Sequence, residues 1–215
     1  GDITSNTLIP EDKCFDARIV SREEGILAGI EIIKSLFREY GIEVISSMND
    51  GDEIAEGDVI LELSGNARTI LTLERTALNL LMRMCGVATA TNRVVVKVRE
   101  VNPKIRIAGT RKTMPALKRF DKLAIAIGGG DTHRYSLDDM VMIKDNHIAV
   151  VGSVKEALAI AKENISFSKK SYFFLNSATS PAISSLTFFE IAFPSINCIT
   201  FLFTKLITVF IFCQI

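Results

Sequence analysis

Apolar residues recur at helical spacing over much of the chain, which predicts a series of amphipathic helices. In the first of them, apolar residues from Ile26 to Phe37 fall three or four positions apart, and Gly41 follows as a stop. The Cys-Gly pair at 85–86 is expected to end the second helix, and Ser153 to cap the last. The predicted helices span 26–40, 71–84, 86–102, 117–127 and 154–161.

Short strands are predicted where apolar and polar residues alternate. A strand over 17–22 precedes the first helix, and residues 1–5 have turn-like composition. Asp-Gly at 50–51 and Glu-Gly at 56–57 divide the segment 42–65 into short strands, a pattern similar to the half-barrel of lipoyl and biotinyl carrier domains. Those carriers need a lysine at the hairpin tip, and the segment contains none. We therefore interpret it as scaffold.

A strand–helix–strand unit is predicted farther along the chain. Its strands are 105–108, closed by Gly109, and 140–143, closed by Lys144. In parallel α/β folds, functional side chains gather where the strands end, at their carboxyl edge. Thr110, Arg111 and Lys112 are therefore expected to share one mouth with Lys144.

Three consecutive glycines add two more candidates. Gly128–Gly130 allow close approach of the backbone to a ligand and bring His133 and Arg134 to the same neighbourhood. Arginine grips a carboxylate or phosphate with two parallel hydrogen bonds, whereas lysine acts as a point charge. The set predicts a pocket for a ligand with several negative groups. By contrast, Lys118, Arg119 and Lys122 lie on the intervening helix and are expected to be solvated.

The overall charge of the chain leaves any anion binding to such a local cluster. The 215 residues are 48% hydrophobic and 23% charged, and 25 basic residues balance 25 acidic ones. Such a balance provides no general field for nucleic acid or an acidic membrane. The four cysteines lack metal-ligand spacing and are expected to be reduced. No signal peptide is recognised and the first residue is glycine, so we expect a cytoplasmic protein whose sequence starts late.

Five motifs in order resemble the quinolinate phosphoribosyltransferase family, the carboxylating nicotinate-nucleotide pyrophosphorylases. They are Glu-Arg-Thr-Ala-Leu-Asn at 74–79, Gly-Val-Ala-Thr-Ala-Thr at 86–91, Gly-Thr-Arg-Lys-Thr at 109–113, Gly-Gly-Gly-Asp-Thr-His-Arg at 128–134 and Ile-Lys-Asp-Asn-His at 143–147. The resemblance covers residues 1 to about 170. It implies an α/β fold: an amino-terminal α/β sandwich domain over 1–85 with the half-barrel-like element, then an incomplete α/β barrel over 86–170. A complete barrel of eight repeats needs about 250 residues.

The resemblance also implies an activity and a partner. The family transfers a phosphoribosyl group from phosphoribosyl pyrophosphate to quinolinate, with loss of pyrophosphate and carbon dioxide, which gives nicotinate mononucleotide for NAD synthesis. Magnesium (Mg²⁺) would accompany the pyrophosphate donor. Arg75 of one subunit in a homodimer would enter the partner's site. A related phosphoribosyltransferase with another acceptor remains an alternative.

The resemblance assigns roles to the candidate residues. With Arg75 of the other subunit, Arg111, His133 and Arg134 would clamp the two carboxylates of quinolinate. Lys112 and Lys144 would hold the donor beside Thr110 and stabilise charge in the transition state. Lys112, Lys144 and His133 are the predicted catalytic residues. The family places a glutamate and an aspartate on later strands for the ribose and the metal, and no residue of this chain matches either.

Composition changes after residue 170. Residues 171–215 contain nine of the thirteen phenylalanines but only two charged residues, Glu190 and Lys205. The composition favours an aberrant hydrophobic tail, read in a wrong frame or from a misassigned gene end. A buried segment of an unusual domain and a membrane anchor over 196–211 are the other interpretations, although Lys205 interrupts a run shorter than the roughly 20 apolar residues needed to span. An inactive, truncated or membrane-attached product is therefore the alternative to a working enzyme.

Overall fold

The computed structural model describes residues 2–165 together with two strands at 196–200 and 209–214. The chain forms two compact units, one of Gly1–Lys97 with Met114–Gly130 and the other of Val98–Thr113 with Asp131–Ile215. These units follow other limits than the domain boundaries expected from sequence, at 1–85, 86–170 and 171–215, which stay a prediction.

The first unit contains both strands and helices, and its longest helix continues four residues into the second unit. Its elements are α1 (Ile3–Leu8), β1 (Cys14–Val20), β2 (Gly25–Ile26), α2 (Ile30–Glu39), β3 (Glu43–Ser47), β4 (Glu53–Ile54), β5 (Val59–Asn66), α3 (Ala67–Val101) and α4 (Lys118–Ile127). β5 lies between β1 and β3 in an antiparallel sheet. The predicted turns lie at Gly51 and Gly57, where φ is +95° and +93°. Buried residues of α2, β5 and α3 form the main core, including Ile33, Phe37, Leu61, Leu63 and Leu81.

The first long helix begins four residues later than its periodicity predicts. Gly29 precedes it with φ +97°, and the Asp50 carboxylate accepts hydrogen bonds from the main-chain N–H groups of Gly29 and Ile30. A Cβ on Gly29 would lie 2.5 Å from Met84 Sδ. The apolar residues at 26–28 are buried, but they approach the helix in another conformation. Periodicity detected their burial and could not detect this distant cap.

One continuous helix, α3, replaces the two helices predicted on either side of the Cys-Gly pair at 85–86. Its buried residues follow a single stripe through that pair: Ala77, Leu81, Met84, Ala88, Thr91 and Val95. A glycine inside a helix costs roughly 1 kcal/mol relative to alanine but does not end it. Because the stripe keeps its helical spacing across Gly86, packing outweighs that cost. The prediction of a stop there was wrong.

The start of the chain is also helical rather than turn-like. α1 is capped by the Asp2 carboxylate, which accepts hydrogen bonds from Thr4 N at 3.0 Å and from Ser5 N at 3.3 Å. Ile3 and Leu8 are largely exposed, so α1 shows no apolar stripe by which the sequence could reveal it. The cap is the only local signal that we find for it.

Lys122 corrects the expectation of a solvated face on α4. Lys118 and Arg119 are exposed as expected, but the Lys122 side chain is fully buried. The buried residues of α4 also include Asp121, Ala124 and Ile125, and Lys122 lies next to this stripe. The expectation of a solvated side chain was therefore wrong for Lys122.

The second unit contains β6 (Ile105–Gly109), α5 (Asp145–Val151), α6 (Val154–Asn164), β7 (Ile196–Thr200) and β8 (Val209–Gln214). β8 pairs antiparallel with both β6 and β7. The predicted strand at 140–143 is not formed. In its place, Asp131 makes an isolated parallel bridge to Ala108 of β6. A short apolar run becomes a strand only if a neighbour accepts its hydrogen bonds.

Two helices follow the candidate site. α5 was not predicted and starts directly after Lys144, at the end of the run that the sequence suggested as a strand. α6 confirms the last predicted helix and extends it to Asn164. Ser153 caps α6 as expected, since its Oγ accepts a hydrogen bond from Glu156 N at 3.1 Å.

Most of the atypical tail lies outside the described residues, including 171–195, 201–208 and both of its charged residues. The positions that are described, 196–200 and 209–214, form strands of the β6–β8–β7 sheet. Within the described part of the chain, every helix is too short or too polar to cross a bilayer.

Candidate active site

The turn that follows β6 carries three of the predicted site residues. Ile107 and Ala108 are buried inside the strand, and Arg111 and Lys112 are exposed just after it. Thr110 Oγ1 accepts a hydrogen bond from Lys112 N at 3.0 Å, and Thr113 N donates to the Arg111 carbonyl at 3.0 Å. These two bonds fold the chain into a tight turn. The turn displays both cations beside the end of a buried strand.

The glycines at 128–130 have a packing role in the first unit. An added Cβ would lie 2.4 Å from the Ala88 carbonyl oxygen at Gly128 and 2.8 Å from Thr91 Cγ2 at Gly130. Both glycines therefore lie directly against α3. The sequence suggested close approach to a ligand, whereas the observed close approach is to a helix, and Gly129 alone has a positive φ, of +86°.

Asp131 attaches the next segment to the end of β6. Its N–H donates to the Ile107 carbonyl at 2.6 Å, and its own carbonyl accepts from Gly109 N at 2.8 Å. These bonds place the chain that carries His133 and Arg134 beside the strand that leads into Thr110. Five of the seven predicted site residues are therefore on two adjoining segments of the second unit: Thr110, Arg111, Lys112, His133 and Arg134.

His133 has a backbone conformation that few side chains adopt. Its φ is +53°, in the left-handed region, and its N–H donates to Asp131 Oδ1 at 2.7 Å. The Nε2 atom of its imidazole is buried. Strained residues of this kind cost on the order of 1 kcal/mol or more and cluster at binding and catalytic sites.

Arg134 is a buried cation, only 6% exposed. Its guanidinium donates to the Met140 carbonyl at 3.4 Å and to Met142 Sδ at 3.3 Å, both weak acceptors for a full charge. Burial lowers the pKa of Arg134, the nearby positive charge of Arg111 lowers that pKa further, and Asp139 opposes both effects. Within the described residues no carboxylate forms a salt bridge with it. Buried arginines are almost always paired, so this environment favours an anionic ligand.

Lys144 lies where the segment contacted by Arg134 turns into α5. It is exposed, it follows the buried Ile143, and its main-chain N–H donates to His147 Nδ1 at 2.9 Å. That bond makes Nδ1 of His147 an acceptor and orients its ring. Because Arg134 contacts both Met140 and Met142, the segment leading to Lys144 is tied to the same group of cations.

Arg75 is separate from this set. It belongs to the first unit, on the exposed side of α3, where its guanidinium pairs with Glu74 at 2.7 Å. An exposed pair of this kind contributes little to stability, about 0–1 kcal/mol. The expectation that Arg75 enters the site of a second subunit stays a prediction.

Two aspartates that the sequence analysis did not identify organise the chain around the site residues. Asp139 accepts hydrogen bonds from Tyr135 N at 2.6 Å and Ser136 N at 3.0 Å, which orders the turn after Arg134. The buried Asp121 binds Arg83 through two bonds of 3.0 Å and accepts from Met114 N at 3.1 Å. The contact between Asp121 and Arg83 joins residues 38 positions apart, so only coordinates reveal it.

The described residues contain no group of three or more His, Cys, Asp or Glu that would hold a metal ion. Magnesium does not require such a cage, since it is commonly held by one or two carboxylates and by substrate phosphates. The predicted Mg²⁺ stays a prediction, and the described residues are compatible with an ion held mainly by substrate phosphates.

The site and the elements around it define a class of protein. It is an α/β protein in which an exposed cationic turn after a buried strand adjoins a segment that carries a strained histidine and a buried arginine.

Comparison with known proteins identifies the family. Two family models match, "Quinolinate phosphoribosyl transferase, N-terminal domain" over residues 2–85 and "Quinolinate phosphoribosyl transferase, C-terminal domain" over residues 87–176. A probable nicotinate-nucleotide pyrophosphorylase [carboxylating] of Methanocaldococcus jannaschii is 57% identical over 170 residues, which are 79% of this chain and 59% of the relative. Its counterpart in Methanothermobacter thermautotrophicus is 50% identical over 79% of this chain and 61% of the relative.

Solved structures agree. NadC from Streptococcus pyogenes is 35% identical with a TM-score of 0.74, over 80% of this chain and 62% of that one. The nicotinate-nucleotide pyrophosphorylase from Francisella tularensis is 35% identical with a TM-score of 0.72, over 80% of this chain and 61% of that one. The chain belongs to the quinolinate phosphoribosyltransferase family, and the predicted resemblance and α/β class are confirmed. It spans about three fifths of the length of these relatives.

Proposed function

We propose that this chain transfers the phosphoribosyl group of phosphoribosyl pyrophosphate to quinolinate, releasing pyrophosphate and carbon dioxide and forming nicotinate mononucleotide for NAD synthesis. The observation that carries the proposal is Arg134, a buried guanidinium near enough to Arg111 for their charges to repel. Its hydrogen-bond acceptors among the described residues are the Met140 carbonyl and Met142 Sδ. Two adjacent arginines repel each other until an anion lies between them. A pyridine ring with two neighbouring carboxylates suits that arrangement.

The acceptor would be clamped by Arg111, His133 and Arg134. Arginine binds a carboxylate through two parallel hydrogen bonds, which fixes the plane of the ring as well as its position. With the carboxylates held, the ring nitrogen is free to attack the anomeric carbon of the donor as pyrophosphate leaves. Holding the reactants in this geometry lowers the entropic part of the barrier.

The donor would be held by Lys112 and Lys144, with Thr110 fixing the turn that carries Lys112. Negative charge moves onto the leaving pyrophosphate as the anomeric bond breaks. Two ammonium groups in place before the reaction stabilise that charge without forming a covalent bond. Magnesium, when bound to the pyrophosphate oxygens, neutralises part of the same charge.

The direct test is to titrate the purified chain with quinolinate by calorimetry and then to incubate it with quinolinate, phosphoribosyl pyrophosphate and Mg²⁺. We expect binding, pyrophosphate release and formation of nicotinate mononucleotide. Quinolinate binding without release would support the alternative of an inactive product that retains the acceptor site. Pelleting with lipid vesicles and no binding would favour the membrane-attached alternative. Nicotinate serves as the competing acceptor, and tighter binding of that monocarboxylate would contradict the two-carboxylate clamp.

The clamp itself makes a sharper prediction. Arg111→Ala removes a charge-assisted pair of hydrogen bonds, worth about 1.5–3 kcal/mol, and should weaken quinolinate binding roughly 10- to 100-fold. The matched control is Arg119→Ala, since Arg119 is an exposed arginine of α4 that is not among the predicted site residues. Calorimetry of both variants checks this, and equal affinities for quinolinate in the two would refute the clamp.

We further propose a cytoplasmic homodimer in which Arg75 of one subunit completes the acceptor site of the other. Its support is the exposure of Arg75 and its weak pairing with an adjacent residue, which leave the guanidinium able to change partners at little cost.

A further inference from the structure

Asp131 is a residue at the centre of the candidate site to which the proposed reaction assigns no role. Its main chain forms the bridge to β6, and any residue could make those bonds. Its side chain does something that few residues could do. Oδ1 accepts a hydrogen bond from His133 N at 2.7 Å, and Oδ2 pairs with the Arg106 guanidinium on β6.

The bond to His133 coincides with the strained conformation of that residue. At φ +53°, a histidine is in a region that L-residues rarely adopt without compensation. A carboxylate that accepts from the amide two residues later is a recognised way to stabilise such a turn. The carboxylate of Asp131 is therefore placed to select the left-handed conformation of His133.

That conformation sets the direction in which His133 and the next residue, Arg134, leave the backbone. A change of φ from the left-handed to the right-handed region would rotate the imidazole and displace the start of Arg134. The ion pair with Arg106 holds the other oxygen, but its side chains are substantially exposed, which limits its strength.

We propose that Asp131 is a positioning residue for the acceptor clamp. Its Oδ1 bond to His133 N fixes the backbone at His133 and so aims His133 and Arg134 at the acceptor's carboxylates. The pair with Arg106 is not required. The inference rests on the proposed function for its ligand, but the geometry that it concerns is a property of the chain itself.

Four variants separate the hydrogen bond from the charge. Asp131→Ala removes both. Asp131→Glu keeps the charge but moves the acceptor by one methylene, out of position for His133 N. Asp131→Asn keeps the amide oxygen as acceptor and loses the charge, and Arg106→Gln removes the ion pair alone.

The experiment has two readouts on the full chain: quinolinate affinity by calorimetry, and exchange of the His133 amide hydrogen by NMR. For Asp131→Ala and Asp131→Glu we expect about tenfold weaker binding and about tenfold faster exchange at His133. For Asp131→Asn and Arg106→Gln we expect both quantities within about twofold of the parent. Asp131→Glu, which preserves charge, keeps the test valid if Asp131→Ala does not fold.

Several results would overturn the proposal. One is parent-like affinity in Asp131→Glu, and another is equal weakening in Asp131→Asn and Asp131→Ala, which would make charge the operative property. An unchanged rate of amide exchange at His133 in Asp131→Glu would also overturn the proposal. If the parent chain does not bind quinolinate, the proposed function fails, while the exchange measurement still decides whether Asp131 holds His133.

Discussion

Arg134 and Arg111 show how a single site imposes a cost on the fold that contains it. Burial and a like charge both disfavour the cationic form of Arg134, which is why its pKa is lowered. The repulsion is present in the ligand-free protein and is relieved when an anion lies between the two side chains. A ligand that binds only the folded state raises stability by mass action. A polyanion should therefore stabilise this protein more than a general salt does.

Cys85 offers a test at the same scale. Burial raises the pKa of its thiol, a hydrogen bond of 3.4 Å donated by the Ala28 N–H to its sulfur opposes that shift, and Asp50 adds to it. A raised pKa means that less thiolate is present at a given pH, and thiolate is the form that reacts. At pH 8 we expect iodoacetamide to modify the exposed Cys14 at least tenfold faster than Cys85. Peptide-resolved mass spectrometry measures the two rates.

The control for the thiol experiment is the same reaction in concentrated urea. Unfolding removes the burial of Cys85, so the two cysteines should then react at similar rates. Rapid modification of Cys85 in the folded protein would contradict the account of its environment.

Among the elements, α3 depends most on packing and least on local sequence. Its stripe of buried residues passes Gly86, where an added Cβ would have no atom of the described residues within 4 Å. Gly128, in contrast, lies against the same helix, where a Cβ would be 2.4 Å from a carbonyl oxygen. The two glycines give opposite predictions for the same substitution.

Gly86→Ala should stabilise the protein, because alanine favours a helix by about 1 kcal/mol and has room here. Gly128→Ala should destabilise it by roughly 1–3 kcal/mol, because backbone cannot move aside as a flexible side chain can. For a chain of this size, Gly86→Ala should raise Tm by about 2–4 °C, and Gly128→Ala should lower Tm by a larger amount. Thermal unfolding followed by circular dichroism measures both.

A loss of stability in Gly86→Ala would indicate a contact that the described part of the chain does not contain. Unchanged stability in Gly128→Ala would mean that α3 and the glycine segment can separate without cost.

Local patterns predicted most of these elements. Alternation and the Asp-Gly and Glu-Gly pairs located the short strands and turns of the first unit, and Ser153 marked the start of α6. Contacts distant in sequence account for the failures. The Asp50 cap on α2, the continuous stripe of α3 and the bridge of Asp131 to β6 each join residues that no short window contains.

The candidate site likewise has features that local patterns predicted and features that they did not. Cations after a strand-like run and beside glycines identified Arg111, Lys112 and Arg134 as candidates from residue type and position. Other features depend on tertiary packing, which no local pattern contains. They are the contact of the glycines at 128–130 with α3, the burial of Lys122 and the proposed role of Asp131. The site roles themselves stay predictions.

For the whole molecule, the homodimer proposal has a test in mixed variants. Arg75→Ala and Arg111→Ala should each, on their own, bind quinolinate roughly 10- to 100-fold more weakly than the parent. After unfolding and refolding together, half of the dimers would be mixed, and each mixed dimer would have one site with both arginines. We expect recovery of about a quarter of the parent's binding sites, counted by calorimetry.

If both single variants bind quinolinate weakly and the mixture recovers no binding sites, Arg75 acts within its own chain. Parent-like binding by Arg75→Ala alone would remove it from the site. Mixing Arg111→Ala with itself is the control, because no combination of those subunits restores Arg111.

The stripe on α3 also limits how the chain can change in length. Each residue advances a helix by about 100°, so inserting or deleting one residue between Ala77 and Val95 would turn every later position to another face. A seven-residue insertion would misalign them by only about 20°. Natural or engineered changes in the length of this helix are therefore tolerated best in steps that nearly complete whole turns, such as seven residues, because only those keep the later buried residues on the same face.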